Sequence, residues 1–162
     1  MPRGDSAEDL VAFVEAEGEG WQHPVAARSF QWRRVARYPT RRFIERPIWG
    51  KTSPDTKEAW KRWLDGEIAN DPEYYRWLED KWFSDPSYFG EVIVAEYPDG
   101  TIDIGDGWHR VAMSVARGKP SVPAVVGCPR TATAPKLKTS KQLDREISEF
   151  LTEEALHRKG LL

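Results

Sequence analysis

The residues best suited to chemistry in this chain fall within seven positions: Ile104, Gly105, Asp106, Gly107, Trp108, His109 and Arg110. An apolar strand that ends in Gly-Asp-Gly and passes straight into His and Arg predicts a strand-to-helix turn that binds phosphate. The first N–H groups of a helix have no partner within it, and the helix dipole adds partial positive charge at the same end. Gly105 and Gly107 would let an oxygen-rich ligand come close to the backbone. Arg110 can grip phosphate through two N–H groups, and His109 can donate hydrogen bonds or carry a proton. Asp106 is a candidate for holding Mg²⁺ or accepting a proton. Trp108, a large indole directly after a glycine, either stacks on a base or plugs the core beneath the helix. Each residue alone has a plainer explanation, since a single histidine is usually structural and Asp-Gly commonly marks a simple turn. Their adjacency favours the functional reading.

The surrounding elements must hold that turn. Residues 91–97 read as a strand, Pro98-Asp99-Gly100 as a turn, and Thr101 to Ile104 as the returning strand, which Gly105-Asp106-Gly107 breaks. Val111 to Arg117 continues as a helix closed by Gly118, and Ser121 to Val126 is a last core strand. Upstream, residues 29–38 suit a strand, and Arg41 to Trp49 a second extended piece stopped by Pro47. A helix starts at Ser53-Pro54-Asp55-Thr56 and runs to Gly66. Another begins at Asp71-Pro72-Glu73 and ends at Asp85-Pro86. The Tyr74, Trp77, Leu78 and Trp82 stripe of the second helix reads first as core packing and second as a base-stacking wall. Ser6 caps a short acidic helix with Leu10, Val11, Phe13 and Val14 as its apolar side, expected to dock at an edge before Gly18-Glu19-Gly20 stops it. Residues 129–140 read as a linker. A terminal amphipathic helix, Lys141 to Lys159, presents Leu143, Ile147, Phe150, Leu151 and Leu156 to the domain or to a second copy.

At 162 residues the chain suits one α+β domain with decorated ends. The expected architecture is a small mixed sheet with helices packed around it. Residues 1–20 form an acidic helical start and 21–128 the core, with a Trp-rich helical insertion at 66–90. Residues 129–140 are the linker and 141–162 the final helix. No apolar run approaches the roughly 20 residues of a membrane span. The first residues lack the pattern of a secretory signal, so the expectation is a cytoplasmic protein without a membrane partner. Cys128 is the single cysteine, which leaves no internal disulfide and no zinc knuckle. Net charge is −2, which excludes a polycation. Residues 28–42 nevertheless hold six arginines and no acid: Arg28, Arg33, Arg34, Arg37, Arg41 and Arg42.

The stretch from Asp106-Gly107-Trp108-His109-Arg110 through Ser121-Val122-Pro123 resembles the signature of the ParB/sulfiredoxin-like fold. In that fold a G-x-H-R turn opens a helix, and a short loop leads to a strand with (I/V)P. Ile44-Glu45-Arg46-Pro47 and the helix from Ser53 resemble the family's upstream R-P strand and the helix after it, extending the resemblance over about residues 29–127. The family includes sulfiredoxins, free serine kinases, CTP-hydrolysing partition proteins and ParB-like nucleases, so the resemblance implies a nucleotide or phosphate ligand without fixing the reaction. Trp108 stands where sulfiredoxin chemistry needs cysteine, which excludes that activity. A full partition role is disfavoured because the chain lacks a second arginine in the turn and a long DNA-reading domain after it. The kinases of the family have D-G-x-H-R turns and an upstream acid, which Glu45 matches.

The leading expectation is therefore a nucleotide-binding ParB-like protein that takes ATP or another NTP with Mg²⁺ and hydrolyses it or transfers a phosphoryl group. Gly105, Gly107, Trp108, His109 and Arg110 would cradle the nucleotide. Asp106 would hold the metal or orient the nucleophile, Glu45 would act as base, and Arg46 and Lys51 would add charge. One alternative uses the same turn in a nuclease, with Arg33, Arg34, Arg37, Arg41 and Arg42 on DNA phosphate. Another is a non-catalytic plasmid or phage accessory protein whose Trp-rich insertion and terminal helix are contact surfaces, including a homodimer through that helix.

Overall fold

The hairpin that leads into the Gly-Asp-Gly turn forms one half of a four-stranded mixed sheet. In the computed structural model, which describes residues 6–23, 25–46, 48, 53–130 and 139–160, the strands are β1 (Phe30–Pro39), β2 (Val92–Glu96), β3 (Ile102–Asp106) and β4 (Ser121–Pro129). Their order is β1-β4-β2-β3. The β1–β4 and β2–β3 pairs are antiparallel, and β2–β4 is parallel. The helices are α1 (Ala7–Glu17), α2 (Arg42–Glu45), α3 (Lys57–Asn70), α4 (Pro72–Ser84), α5 (Trp108–Ala116) and α6 (Ser140–Arg158). The α+β class expected from the sequence is the one found.

Side chains alternate across a strand, so β2 presents Val92 and Val94 to one layer and Ile93 and Ala95 to the other. On the first face Val35, Tyr38, Ile104, Ala124 and Val126 meet Trp60, Leu64, Leu78, Trp82, Val111 and Met113 from α3, α4 and α5, and Leu143 from α6. On the second face Phe30, Trp32 and Val125 meet Leu10, Val11 and Val14 of α1. Both faces of the inner strands are covered, which is why β2 and β4 read as near-continuous apolar runs. The acidic helix therefore docks on a sheet face and not at an edge.

Two buried polar groups join elements that propensity could not have placed together. Arg42 is 3% exposed and pairs with Glu96 of β2 and with Glu146 of α6, the latter at 2.9 Å, while Tyr38 Oη donates to Glu96 at 2.8 Å. Asp103 is fully buried in β3, and its carboxylate accepts the backbone N–H groups of Gln22 at 3.1 Å, His23 at 2.9 Å and Ile104 at 2.8 Å. That carboxylate pins the segment after α1 across the sheet edge.

Several boundaries differ from expectation. The piece from Arg41 is not extended: it forms the one-turn helix α2, and Ile48 makes a single parallel bridge to Ile102. Helix α3 continues through Gly66 to Asn70 and stops at Asp71, whose side chain caps α4 ahead of Pro72. β3 runs on through Asp106, leaving Gly107 as the break, and β4 extends to Pro129. Residues 131–138, most of the expected linker, lie outside the described residues, as does Lys51.

Candidate functional site

β3 ends at Asp106, and Gly107 takes φ +98°, ψ 25°, a left-handed conformation that costs other L-residues about 1–2 kcal/mol. This reverses the chain into α5, whose first turn is closed by Val111 N–H on the Gly107 carbonyl at 2.8 Å. No side chain caps the start of α5, so its leading N–H groups sit at the positive end of the helix dipole.

The side chains of the turn divide into an inward and an outward set. Arg110 goes inward: its side chain is 8% exposed, and its guanidinium donates to the Gly90 carbonyl at 2.9 Å and to Asp106 Oδ2 at 3.0 Å. It also lies over the rings of Trp82 and Phe89 at 5.5 and 5.7 Å. Burial raises the Asp106 carboxyl above its ordinary value of 3.8, against the pull of Arg110. Burial likewise lowers the Arg110 guanidinium, against the pull of Asp106. In this arrangement Arg110 orients Asp106 and packs the turn, and neither guanidinium N–H pair is turned outward to a ligand.

Trp108 fills the core side of the turn. Its Nε1 donates to the carbonyls of Ile104 at 3.0 Å and Gly20 at 3.2 Å, and its ring packs near Trp60 and Trp63. Of the two sequence readings of this indole, the structure adopts the plug. Gly105 is buried as well, and the space beside its Cα is filled by the indole of Trp21, so this glycine admits a tryptophan. Val92 and the Arg110 side chain occupy the corresponding space at Gly107.

His109 is part-exposed, and its ring packs against two aromatic side chains. The Trp63 centroid lies 5.1 Å away and the Tyr75 centroid 5.0 Å away, leaving the His109 side chain 36% exposed. Nε2 lies 3.1 Å from Tyr75 Oη and 3.4 Å from Glu67 Oε2, and Tyr75 Oη donates to that same carboxylate at 3.2 Å. Burial raises the Tyr75 phenol, and Glu67 raises it further, so this hydroxyl keeps its proton. The sequence reading missed Glu67, Tyr75 and Trp63. Trp63 and Glu67 stand four apart on one face of α3, a spacing that carried a signal, whereas Tyr75 reaches the site only through the reversal between α3 and α4.

The upstream candidates are not gathered at the turn. Glu45 is exposed on α2 and paired with Arg41. Ile48, three residues later, lies beside Ile102, at the far end of β3 from Asp106, which is about 13 Å of strand away. Arg46 sits between them. The arginine-rich stretch faces acids: Arg28 meets Glu8 and Glu15, Arg34 meets Glu91, and Arg37 meets Asp144. Arg41 meets Glu45 and Glu153, and Arg42 is the buried partner of Glu96 and Glu146. Arg33 is half-buried on β1. Among the described residues no three His, Cys, Asp or Glu side chains gather to hold a metal ion, and no helix is long and apolar enough to cross a membrane. Compared with protein-family models, with curated proteins and with solved structures, the chain matches none.

Proposed function

We propose that this chain is a nucleotide-binding protein of the ParB/sulfiredoxin-like kind, which takes an NTP with Mg²⁺ at the Gly107–His109 turn and hydrolyses it or transfers its terminal phosphoryl group. The observation that carries this reading is His109: an outward-facing imidazole held by three side chains, on the first turn of a helix whose leading N–H groups have no side-chain cap. Phosphate oxygens would lie against those N–H groups, where dipole and donors act together. His109 would accept the proton of the attacking oxygen, the role first given to Glu45. Asp106 is the carboxylate carried by the turn itself, which suits a Mg²⁺ that arrives already bound by the phosphates and needs little from the protein. Its Arg110 partner would keep it oriented.

Thermal unfolding against ATP, ADP, CTP and GTP, each with and without Mg²⁺, tests the reading. A ligand at about a hundred times its dissociation constant adds roughly 2.7 kcal/mol. We expect a nucleotide-selective rise in melting temperature that His109→Ala abolishes. No rise with any of the four overturns the proposal.

A specific observation favours the non-catalytic alternative as the second reading. Tyr74, Trp77 and Tyr88 form a continuous exposed aromatic surface, 48%, 46% and 60% accessible, with successive ring centroids 6.0 and 6.2 Å apart. If the chain acts by contact with a partner, replacing these three by serine abolishes its cellular activity while nucleotide binding is unchanged.

A further inference from the structure

We infer that Glu67 and Tyr75 are positioning residues that fix the proton of His109 on Nε2 and leave Nδ1 as the proton-accepting atom of the turn. The inference rests on the reading of this turn as the active site and names the atom on which its chemistry depends.

One order of protons turns all three contacts into hydrogen bonds. A carboxylate accepts hydrogen bonds and cannot donate them, so the Tyr75 hydroxyl, 3.2 Å from Glu67 Oε2, directs its proton to Glu67. The lone pairs of Tyr75 Oη are then what Nε2 of His109 meets at 3.1 Å, and Glu67 Oε2 at 3.4 Å offers only further acceptor character. Both neighbours of Nε2 therefore demand an N–H there, and in a neutral imidazole the other nitrogen must carry the lone pair. Nδ1 has no hydrogen-bond partner among the described residues. The Trp63 and Tyr75 rings pack against the imidazole, with centroids 5.1 and 5.0 Å away, and limit its rotation.

When a water or an acceptor hydroxyl attacks the terminal phosphorus, a P–O bond forms and the bridging P–O bond breaks. The nucleoside diphosphate leaves with that electron pair, and the proton of the attacking oxygen passes to Nδ1. The imidazolium so formed keeps its Nε2–H on Tyr75, and the Glu67 carboxylate stabilises the new charge. This is the part a carboxylate plays behind a catalytic histidine generally.

The test reads the ring directly in the ¹⁵N-labelled full chain. The sequence has three histidines, so His23→Gln, His109→Gln and His157→Gln assign the imidazole signals. We expect a His109 Nε2–H resonance that survives exchange with water, with Nδ1 at the shift of an unprotonated nitrogen. Tyr75→Phe, which keeps the ring stack, and Glu67→Gln should each remove that protected resonance, while Tyr74→Phe keeps it. In the nucleotide assay Tyr75→Phe should lower turnover about tenfold or more with the nucleotide-induced melting shift retained. A protonated Nδ1, a wild-type Nε2–H that exchanges freely, or a resonance indifferent to both variants overturns the relay. A protected Nε2–H in a chain that no nucleotide stabilises would sustain the proton order and sink the proposed function, so the two failures are distinct.

Discussion

At the scale of single residues the turn is tightly constrained, and its constraints are measurable. Gly107 combines a left-handed backbone with a lack of room: a Cβ there would lie 2.5 Å from Val92 Cγ1. Strain and overpacking together should make Gly107→Ala cost about 2–4 kcal/mol, read as a lower urea midpoint with an unchanged slope. Asp106 gives a pH dependence with a definite sign. Burial holds its carboxyl above 3.8, so the folded chain binds that proton more tightly than the unfolded chain does. Between the raised value and 3.8, stability from this group rises as pH falls. The unfolding free energy of the wild type should therefore gain on that of Asp106→Asn as the pH is lowered from about 7 to about 4. A gap that narrows on acidification would contradict the buried environment. His109 and Arg110 were legible as polar residues at a helix start. Which one would face out was not, because burial of Arg110 depends on Gly90, Trp82 and Phe89 from other parts of the chain.

Between elements, buried charge does the joining that apolar pattern alone leaves unspecified. α6 presents Leu143 and Ile147 to the core, and Glu146 ties it to the buried Arg42 of α2. Arg42→Met leaves two acids beside an apolar layer and should cost about 3 kcal/mol. Arg37→Met, which removes a half-exposed pair with Asp144, should cost at most about 1 kcal/mol. Comparable losses in the two variants would mean that Arg42 gains nothing from burial. The terminal helix was readable from its periodicity, and so were α4 and the β2–β3 hairpin. α2 was not: Pro47 and the β-suited residues near it point to an extended chain, whereas a backbone turn from Thr40, with Phe43 and Arg42 buried beneath it, makes a helix.

For the molecule as a whole, the distribution of charge matters more than its sum. The six arginines of residues 28–42 look like a phosphate-tracking strip in one dimension, and α1, α6, β2 and Glu91 just before β2 bring acids to five of them. A surface neutralised in this way has few counterions to exchange on DNA. We expect no retardation of duplex DNA at about 50 mM salt. Binding with a steep salt slope would favour the nuclease reading. Helix α6 buries Leu143 and Ile147 within its own chain and leaves Leu151 as its one exposed large apolar side chain among the described residues, so light scattering should report a monomer.

The sequence by itself determined the class of the fold, most of its elements and the place where a glycine must let a strand become a helix. Those features depend on periodicity, capping and backbone freedom, all of which act over a few neighbouring residues. The tertiary structure decided which polar side chains are spent on the interior and which remain for chemistry. Asp103, Arg42 and Arg110 each meet a partner 20 to 104 positions away, and His109 meets Tyr75 and Glu67 only because α3 and α4 fold back on α5. Burial and hydrogen bonding of that range have no signature in local spacing, because loop closure and packing set the partners.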